Sequence, residues 1–385
     1  MGGGYYAHVT HPPSTPGRLL LDKAHLAMAS LLEDVAAYEA WLRKHCAVVE
    51  DDLAAKHQRM RASPFDFLRA TYFRWARTVH DFAPELLGTP EVLSVGDTHV
   101  ENFGTWRDED SRQVWGANDF DEASVMPYPL DLLRLVVSAR LAPDFKLGGR
   151  ETAKEMLGGY VEGLQSPQPI LLEQGAKWFR TLVNNLEDKS AGFWREVDAY
   201  ADATPPEPVQ SALRGCLPKG ATIQRFATRR SGGGSLGRPR YLAIALWQGG
   251  RIVREAKAVV PSAWDWAAGR GETPSRILDA AFGRFRSPDP TLSTSNGFLL
   301  RQIASDAQKL DLKDVSMLDE GTKLVRAMGA EIGAIHAGQG DPHRLLEDLA
   351  RRDPDWLQLA AKRAQQSVEA DHALWMKHLI HVQLD

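Results

Sequence analysis

The spacing of apolar residues changes several times along this chain, and these changes limit the folds it can adopt. Between residues 19 and 60, apolar side chains recur every three or four positions, which indicates amphipathic helix. Short runs rich in Val and Trp follow within residues 91–120, and helical spacing returns over residues 150–218. Period-two spacing begins again at Thr222, and beyond Asp306 the pattern is helical to the end. We therefore expect a mainly helical α+β protein with two separate β regions.

The same changes divide the sequence into four parts. Residues 1–18 are expected to be a flexible tail, and residues 19–218 a helical part that contains a β-hairpin. Residues 219–305 are expected to form a small β-rich lobe, and residues 306–385 to supply helices that complete the larger part. Within the hairpin region, strands are predicted in "EVLSVGD" and "RQVWGANDF", with "RDEDS" as the turn between them.

Charge and cysteine content bear on the class of protein. The formal net charge of −4 gives no general affinity for nucleic acid or an anionic membrane. Cys46 and Cys216 are the only cysteines in the sequence, which argues against a disulfide framework or a Cys-based zinc site and fits a reducing cytoplasm. No apolar run reaches the ~20 residues of a membrane span. We expect a cytoplasmic protein that binds neither nucleic acid nor membrane.

Several polar residues stand close together in the stretch "LSVGDTHVENFG" and soon after it. Asp97, His99 and Asn102 lie in this stretch, and Asp119 and Asp121 follow in "NDFDEA". Phosphoryl transfer needs a carboxylate to orient the attacking hydroxyl, and it needs an Asn and an Asp on separate segments to bind magnesium. An Asp-x-His alone is usually a turn, and "DFDE" alone is usually a solvated charge cluster. The ordered combination is more specific than either piece.

A different class of enzyme shares the Gly-Asp-x-His pattern of residues 96–99. Two-metal phosphoesterases use Gly-Asp-x-His followed by further Gly-Asp and Gly-Asn-His segments. No Gly-Asn-His occurs in this sequence, and the later "QGDPH" is isolated. This alternative is therefore the weaker one.

The stretch "GDTHVENF" resembles the catalytic loop of aminoglycoside and choline phosphotransferases, the small-molecule branch of the protein-kinase-like fold. The stretch "NDFDEASVMPYPLDLLRL" is similar to the metal-binding segment of the same branch. This resemblance implies that Asp97 is the catalytic base and that Asn102 and Asp119 are magnesium ligands. It also implies that His99 and Asp131 support the catalytic loop.

A larger set of motifs resembles the bacterial family catalogued as domain of unknown function 2252. The motifs are "RMRASPFDFLRA", "GDTHVENFG", "NDFDEA", "KAVVPSA", "LLRQI" and "IHAGQGD", and they span roughly residues 56 to 341. That family is assigned to the kinase-like superfamily without a settled substrate. Two roles stay open: Asp121 is a second metal ligand or a supporting carboxylate, and Arg69 faces an anionic ligand or helps to dock its helix on the core.

A kinase-like site also needs a Gly-rich loop and a strand lysine over the nucleotide phosphates. The segment "SGGGSLG" offers backbone N–H groups for such contacts, although a Gly-rich hairpin is often only a flexible turn. Its candidate phosphate-binding residues are Gly233, Gly234, Ser235 and Gly237. Lys257 follows one strand later and is preferred over Arg251 and Arg254, because "KAVVPSA" resembles the lysine segment of the family. Its acidic partner is Glu255 or Glu272.

The order of these parts differs from that of ordinary kinases, in which the Gly-rich loop and the lysine precede the catalytic loop. Here both follow it, and "RAMGAEIGAIHAGQGD", which resembles the helix that leads into the catalytic loop, comes later still. The resemblance implies a two-lobe, protein-kinase-like fold in circularly permuted order. His336 in that helix is expected to be packed or hydrogen-bonded rather than catalytic.

The expected function is an ATP-dependent, Mg²⁺-requiring phosphotransferase that acts on a hydroxyl of a small molecule or metabolite. One alternative is nucleotidyl transfer to a protein from the same site. Another is a non-catalytic, pseudokinase-like module that binds nucleotide. The expected ligands are a nucleoside triphosphate, Mg²⁺ and an acceptor that no motif identifies. All three readings require Lys257 and Asp119 to face one crevice.

Overall fold

The computed structural model contains helices and small sheets, with about half of the described residues in helix. The predicted mixture of helix and strand is confirmed. The described residues are 16–143, 145, 147–174, 187–271, 273–305, 307 and 318–382. Most of the predicted tail, residues 1–15, lies outside them. Across the described ranges, no helix is both long enough and apolar enough to cross a membrane.

Four helices precede the first strand: α1 (Pro16–His45), α2 (Glu50–Arg59), α3 (Pro64–Ala70) and α4 (Tyr72–Phe82). The start of α3 follows the sequence signal closely. The Ser63 side chain accepts a hydrogen bond from the backbone N–H of Asp66 at 3.0 Å, and Pro64 occupies the first helical position. Phe65 and Phe67 of α3 are buried, so this helix docks on the core through its aromatic residues.

The first β region contains β1 (Glu91–Ser94), β2 (Phe103–Arg107), β3 (Gln113–Ala117) and β4 (Ser124–Pro127). The predicted turn "RDEDS" joins β2 to β3, as expected. The strand predicted in "EVLSVGD" is present as β1, but its predicted hairpin pairing was wrong, because β1 pairs with β4 and β2 takes its place beside β3. The reason is that the backbone leaves the extended conformation after β1: Gly96 has a φ of +91°, and residues 100–102 form a 3₁₀ turn before β2 begins.

The next elements are α5 (Pro129–Leu141), α6 (Gly149–Gln165), β5 (Ile170–Leu171), α7 (Glu187–Ala199) and α8 (Glu207–Gly215). Helix α5 is buried on nearly all sides, as the apolar run "LDLLRLVVSARLA" predicted. The short strand β5 extends the β2–β3 hairpin by pairing with β3. The loop between β1 and β2 lies against α5, since Thr98 donates to the Asp131 carbonyl oxygen and the Val100 N–H donates to the Ser138 hydroxyl.

The second β region is one antiparallel sheet of β6 (Thr222–Thr228), β7 (Arg240–Trp247), β8 (Gly250–Ala258), β9 (Ser293–Ser295) and β10 (Phe298–Ile303). Its strand order is β6-β7-β8-β10-β9. Two short helices, α9 (Ala263–Ala267) and α10 (Ile277–Ala281), lie between β8 and β9 in the chain. Helix α8 covers one face of the sheet through Leu213, and α7 covers part of the other through Val197.

The last helices are α11 (Leu318–Gln339), α12 (Pro342–Ala350) and α13 (Trp356–Val382). Helix α11 packs closely on α6 because glycines meet at the crossing. A Cβ at Gly333 would lie 2.4 Å from the Tyr160 carbonyl oxygen, and one at Gly159 would lie 1.9 Å from that of Arg326. Residues of α11 and α13 share one apolar core with α3, α4 and α5. The chain therefore returns at its end to the region of the early hairpin.

Candidate active site

The loop after β1 is held by a buried carboxylate on α5. Asp131 accepts hydrogen bonds from the backbone N–H of Val95 at 2.8 Å and from that of Gly96 at 2.9 Å. Gly96 is required here, since its φ is positive and a Cβ would lie 2.2 Å from the Glu122 carbonyl oxygen. The structure thus places Asp131 as a support for the loop, in the position that the sequence resemblance implied.

A second layer supports Asp131 in turn. His336 Nε2 of α11 lies 3.2 Å from Asp131 Oδ2, and the hydroxyl of Tyr160 on α6 lies 2.9 Å from His336 Nδ1. All three side chains are fully buried. His336 is therefore packed and hydrogen-bonded, as the sequence predicted, and through Asp131 it connects α11 to the loop after β1.

Asp97 is paired with a buried arginine. Its Oδ1 accepts hydrogen bonds from Arg134 Nε at 2.8 Å and from Arg134 Nη2 at 2.5 Å. The Arg134 guanidinium lies between the rings of Tyr72 and Trp75, 4.9 and 5.1 Å from their centroids. Burial raises the pKa of Asp97, and Arg134 counteracts part of that rise. One carboxylate oxygen is thereby occupied, and Oδ2 is the one left to act on a ligand.

Asn102 and His99 shape the same loop. The Asn102 side-chain amide donates to the Asp97 carbonyl oxygen at 2.6 Å, so its side-chain oxygen is the atom left to meet a cation. His99 Nδ1 accepts from the backbone N–H of Glu101 at 3.2 Å, at the start of the 3₁₀ turn. Both residues line one cavity together with Asp97.

The acidic segment after β3 meets the lysine of β8. Lys257 Nζ lies 3.6 Å from Asp119 Oδ1 and forms a closer ion pair with Asp121 Oδ2. Burial lowers the pKa of Lys257, whereas Asp119 and Asp121 raise it. Asp119 and Asp121, which follow the early hairpin, therefore lie beside Lys257 of the later sheet, as the expected active site required.

The competing cations of β8 lie elsewhere. Arg251 forms an ion pair with Asp198 at 2.6 Å, and Arg254 donates to the carbonyl oxygen of Cys216 at 3.2 Å. Of the cations weighed on this strand, Lys257 is the one that the structure brings to the acidic segment.

Neither glutamate considered as the partner of Lys257 is seen to fill that role. Glu255 is fully buried among three arginines, at 3.0 Å from Arg229, 3.6 Å from Arg240 and 2.6 Å from Arg301. Burial raises the pKa of Glu255, but the three guanidinium groups outweigh it and hold the pKa well below its usual range. Glu272 lies outside the described residues.

The Gly-rich loop covers Asp97. A Cβ at Gly234 would lie 2.9 Å from the Arg69 carbonyl oxygen and 3.2 Å from Asp97 Oδ2. Two cations of α2 hold the loop in place: Lys56 donates to the Gly234 carbonyl oxygen at 2.9 Å, and Arg59 donates to that of Gly232 at 2.7 Å. The Gly-rich loop thus lies close to the Asp97 carboxylate.

The other predicted loop residues surround this contact. Gly233 lies beside Arg69, because a Cβ at Gly233 would lie 3.7 Å from the nearest atom of the Arg69 side chain. Ser235 Oγ accepts from Arg240 Nη2 at 2.5 Å, and Gly237 has a φ of +94°. Arg69 itself is buried and pairs with Glu101 at 2.8 Å. The structure therefore brings Arg69, Gly233, Gly234 and Ser235 to one cavity, whereas Gly237 lies against Leu53 of α2.

Arg238 and Glu122 were not found from the sequence. Arg238 is buried and donates to Glu122 Oε1 at 2.6 Å and to Asp121 Oδ2 at 3.3 Å. Glu122 Oε2 also accepts from the backbone N–H of Ala263, at the start of α9, at 2.6 Å. Burial raises the pKa of Glu122, and Arg238 opposes that rise. Because Asp121 is paired with two cations, its arrangement favours a supporting carboxylate over a second metal ligand.

Two cavities adjoin the Gly-rich loop. The first has a volume of about 40 Å³, which is room for only a few waters, and it is lined by Asp97, Asn102, Asp119 and Gly232–Ser235. The second has a volume of about 400 Å³ and shares Arg69 and Gly232 with the first. Its other walls include two arginines, Arg229 and Arg301, and three apolar residues of the sheet, Leu242, Val253 and Ile303.

The fold and the site together define a mixed α/β protein with a partly buried acidic crevice beneath a Gly-rich loop. The model of a family described as an uncharacterized protein conserved in bacteria, DUF2252, matches residues 48–167, about a third of the chain. The chain is similar to that family over this segment, which contains Asp97, Asn102 and Asp119 but ends before Lys257. The comparison with curated proteins and the comparison with solved structures found no match.

Proposed function

We propose that this protein is an ATP-dependent, Mg²⁺-requiring phosphotransferase with a permuted, kinase-like active site. The observation that carries the proposal is the contact of Lys257 with Asp119 and Asp121, next to a Gly-rich loop that covers Asp97. In kinases the Gly-rich loop covers the phosphates and the lysine lies on the third strand of the sheet. Here the loop joins β6 to β7, the first two strands of the sheet, and Lys257 lies on β8, the third.

Asp97 is the proposed catalytic base. Its Oδ2 accepts the proton of the acceptor hydroxyl as the new O–P bond forms, and the bond between the γ-phosphorus and the ADP oxygen breaks. Arg134 holds the other oxygen, Oδ1, and favours the ionised carboxylate against the effect of burial. The Asp97 carboxylate is thus held in a fixed orientation and kept ionised, so that it can accept the proton.

Asp119 and Asn102 are the proposed magnesium ligands. Among the described residues no group of three His, Cys, Asp or Glu side chains could hold a metal ion. That finding is compatible with magnesium, which takes one or two protein carboxylates together with phosphate oxygens and waters. Bound there, the ion would neutralise charge on the phosphates. The 3.6 Å approach of the Lys257 ammonium to Asp119 supports the fit, because this carboxylate already faces a cation.

The nucleotide requires more space than the 40 Å³ beside Asp97. We assign the nucleoside end to the adjoining 400 Å³ cavity, whose apolar wall of Leu242, Val253 and Ile303 suits a base. Arg229 and Arg301 in the same cavity suit phosphate oxygens. The Gly-rich loop then moves away from Asp97 to admit the γ-phosphate and the acceptor.

Thermal shift with ATP, in the presence and absence of Mg²⁺, tests this function. We expect Asp119→Asn to lose the Mg²⁺-dependent rise in melting temperature, and Asp97→Asn to keep it while turnover falls by about 10²–10⁴-fold. The matched control is Asp110→Asn, since Asp110 is exposed in the β2–β3 turn. No nucleotide-dependent shift in the wild type would refute the proposal.

The position of the transferred label separates phosphoryl transfer from nucleotidyl transfer. With ATP labelled at the γ-phosphate, phosphoryl transfer places the label on a small acceptor from a metabolite extract. With ATP labelled at the α-phosphate, nucleotidyl transfer places the label on protein. We expect transfer of the γ label alone, and mass spectrometry of the products would identify the acceptor.

A further inference from the structure

The cations around the small cavity are not evenly matched by carboxylates. Each of the four carboxylates that line the cavity has a cation beside it, in the pairs Asp97–Arg134, Asp119–Lys257, Asp121–Lys257 and Glu122–Arg238. Lys56 lines the same cavity from α2 and is only 4% exposed. Within the described part of the chain it forms no ion pair, and its ammonium donates to a backbone carbonyl oxygen, that of Gly234.

Arg69 is the second incompletely matched cation. It is 6% exposed and lines both cavities. One of its terminal nitrogens pairs with Glu101 at 2.8 Å, but its Nε is buried and has no hydrogen-bond partner among the residues that the structure describes. A guanidinium presents five N–H donors, so this side chain has donors to spare beside Asp97.

A buried ammonium and a buried guanidinium N–H are costly unless an acceptor meets them. The Gly234 carbonyl meets Lys56 in this structure, and a Cβ at Gly234 would lie 3.2 Å from Asp97 Oδ2. An acceptor molecule at Asp97 Oδ2 needs the space beneath Gly234, so we expect it to displace that carbonyl from Lys56. It must then offer Lys56 an oxygen of its own, and a negatively charged oxygen replaces a neutral carbonyl with a stronger, charge-assisted bond.

We propose that Lys56 and Arg69 bind an oxyanion, a phosphate or carboxylate group, on the acceptor whose hydroxyl meets Asp97. This inference rests on the proposed function and names the substrate class for it. Aminoglycosides and choline are cationic, and two buried cations beside the catalytic base disfavour them, because like charges brought together cost binding energy. The acceptor therefore differs in charge from aminoglycosides and choline, the substrates of the enzymes whose catalytic loop the stretch "GDTHVENF" resembles.

Inorganic phosphate is the probe, measured by calorimetric titration of the full chain in a phosphate-free buffer. The wild type, Lys56→Met and Lys56→Arg are compared, with Lys44→Met as the matched control because Lys44 is exposed near the end of α1. We expect phosphate affinity to fall about tenfold or more in Lys56→Met and to be largely restored in Lys56→Arg. Lys44→Met should match the wild type. Absence of phosphate binding to the wild type, or equal affinity in Lys56→Met, overturns the inference.

A second arm separates the acceptor's oxyanion from the γ-phosphate of the nucleotide. The titration is repeated in the presence of Mg²⁺ and a non-hydrolysable ATP analogue that occupies the γ position. We expect phosphate still to bind to this complex, with an affinity that again falls in Lys56→Met. Phosphate excluded by the analogue would assign these cations to the nucleotide instead. Failure of the wild type to bind the analogue at all would refute the proposed function and leave the phosphate measurement as a separate result.

Discussion

The Lys257 ammonium lies 3.6 Å from Asp119 Oδ1, although Asp119 follows the early hairpin and Lys257 lies on the third strand of the later sheet. Asp121 joins the same contact. Two segments that are distant in sequence thus contribute side chains to one ion-pair cluster. In the proposed function a magnesium ion bound by Asp119 would lie beside this ammonium, so the two cations should influence each other.

Removing that ammonium should make the site more responsive to magnesium. In Lys257→Met, Asp119 and Asp121 lose their lysine partner, and the ion can relieve the resulting repulsion between the carboxylates. We expect Mg²⁺ without nucleotide to raise the melting temperature of Lys257→Met by about 2 °C more than that of the wild type. Lys44→Met is the control for loss of a lysine at an exposed position. Equal magnesium effects in all three proteins would contradict the assignment of Asp119 as a ligand.

Replacing Arg134 should affect both stability and the titration of Asp97. Arg134→Met leaves the partly buried Asp97 carboxylate and the buried Leu68 carbonyl oxygen without their donor, so we expect the free energy of unfolding to fall by about 3 kcal/mol. Because Arg134 lowers the pKa of Asp97, its loss should also move the acid limb of the pH–rate profile to higher pH. Urea unfolding and turnover across pH measure the two effects.

The double variant Asp97→Asn with Arg134→Met tests the cause of that loss. It removes the unpaired charge, and we expect it to be more stable than Arg134→Met alone. If the two variants unfolded at the same urea concentration, Arg134 would stabilise the protein through its packing between Tyr72 and Trp75 and not through its ion pair with Asp97.

Two glycine substitutions should change stability in opposite directions. A Cβ at Gly333 would lie 2.4 Å from the Tyr160 carbonyl oxygen, so Gly333→Ala should force α6 and α11 apart and cost about 2 kcal/mol. Gly192 also lies inside a helix, but a Cβ there would meet no atom closer than 4.0 Å. Gly192→Ala should therefore stabilise by about 0.5–1 kcal/mol through helix propensity. Urea unfolding would contradict this account if both variants changed stability with the same sign.

Local sequence signals predicted individual elements well. The start of α3 at Ser63 and Pro64 depends on neighbouring residues only, and so does the alternation in "YLAIALW" and "RIVREAKAVV" that became β7 and β8. The pairing of β1 could not be predicted in this way. This pairing depends on Asp131, which lies on α5, far along the chain. Asp131 accepts hydrogen bonds from the backbone N–H groups of Val95 and Gly96, and so β1 ends before the hairpin begins.

The residues of the candidate site likewise fall into those that the sequence predicted and those that it did not. Asp97, Asn102 and Asp119 were predicted because their residue types and order resemble a known motif. Lys56, Arg134 and Arg238 were missed, since each is a single cation whose partner lies far away in the sequence. The one signal for Arg134 was an arginine inside an otherwise apolar helix, because a buried guanidinium needs a partner.

The stability of the unliganded protein should depend on pH through Lys56. Burial, with a smaller contribution from Arg238, lowers the pKa of this ammonium from 10.5 to about 8. Between these two values the unfolded chain binds more protons than the folded one, so stability rises as pH increases. Relative to Lys56→Met, which has no such group, the wild type should gain about 2 kcal/mol between roughly pH 7.5 and 9.5.

Urea unfolding at the two pH values, in a phosphate-free buffer, measures this gain. Other groups that titrate in the same range are present in both proteins, and the difference between the proteins removes their contribution. Lys44→Met is again the control. The pH dependence of its free energy of unfolding should match that of the wild type, since the exposed Lys44 loses little solvation on folding. If the free energy of unfolding of Lys56→Met also changed with pH as the wild type's does, the ammonium would not be desolvated, and the case for a buried cation without a carboxylate partner beside Asp97 would fail with it.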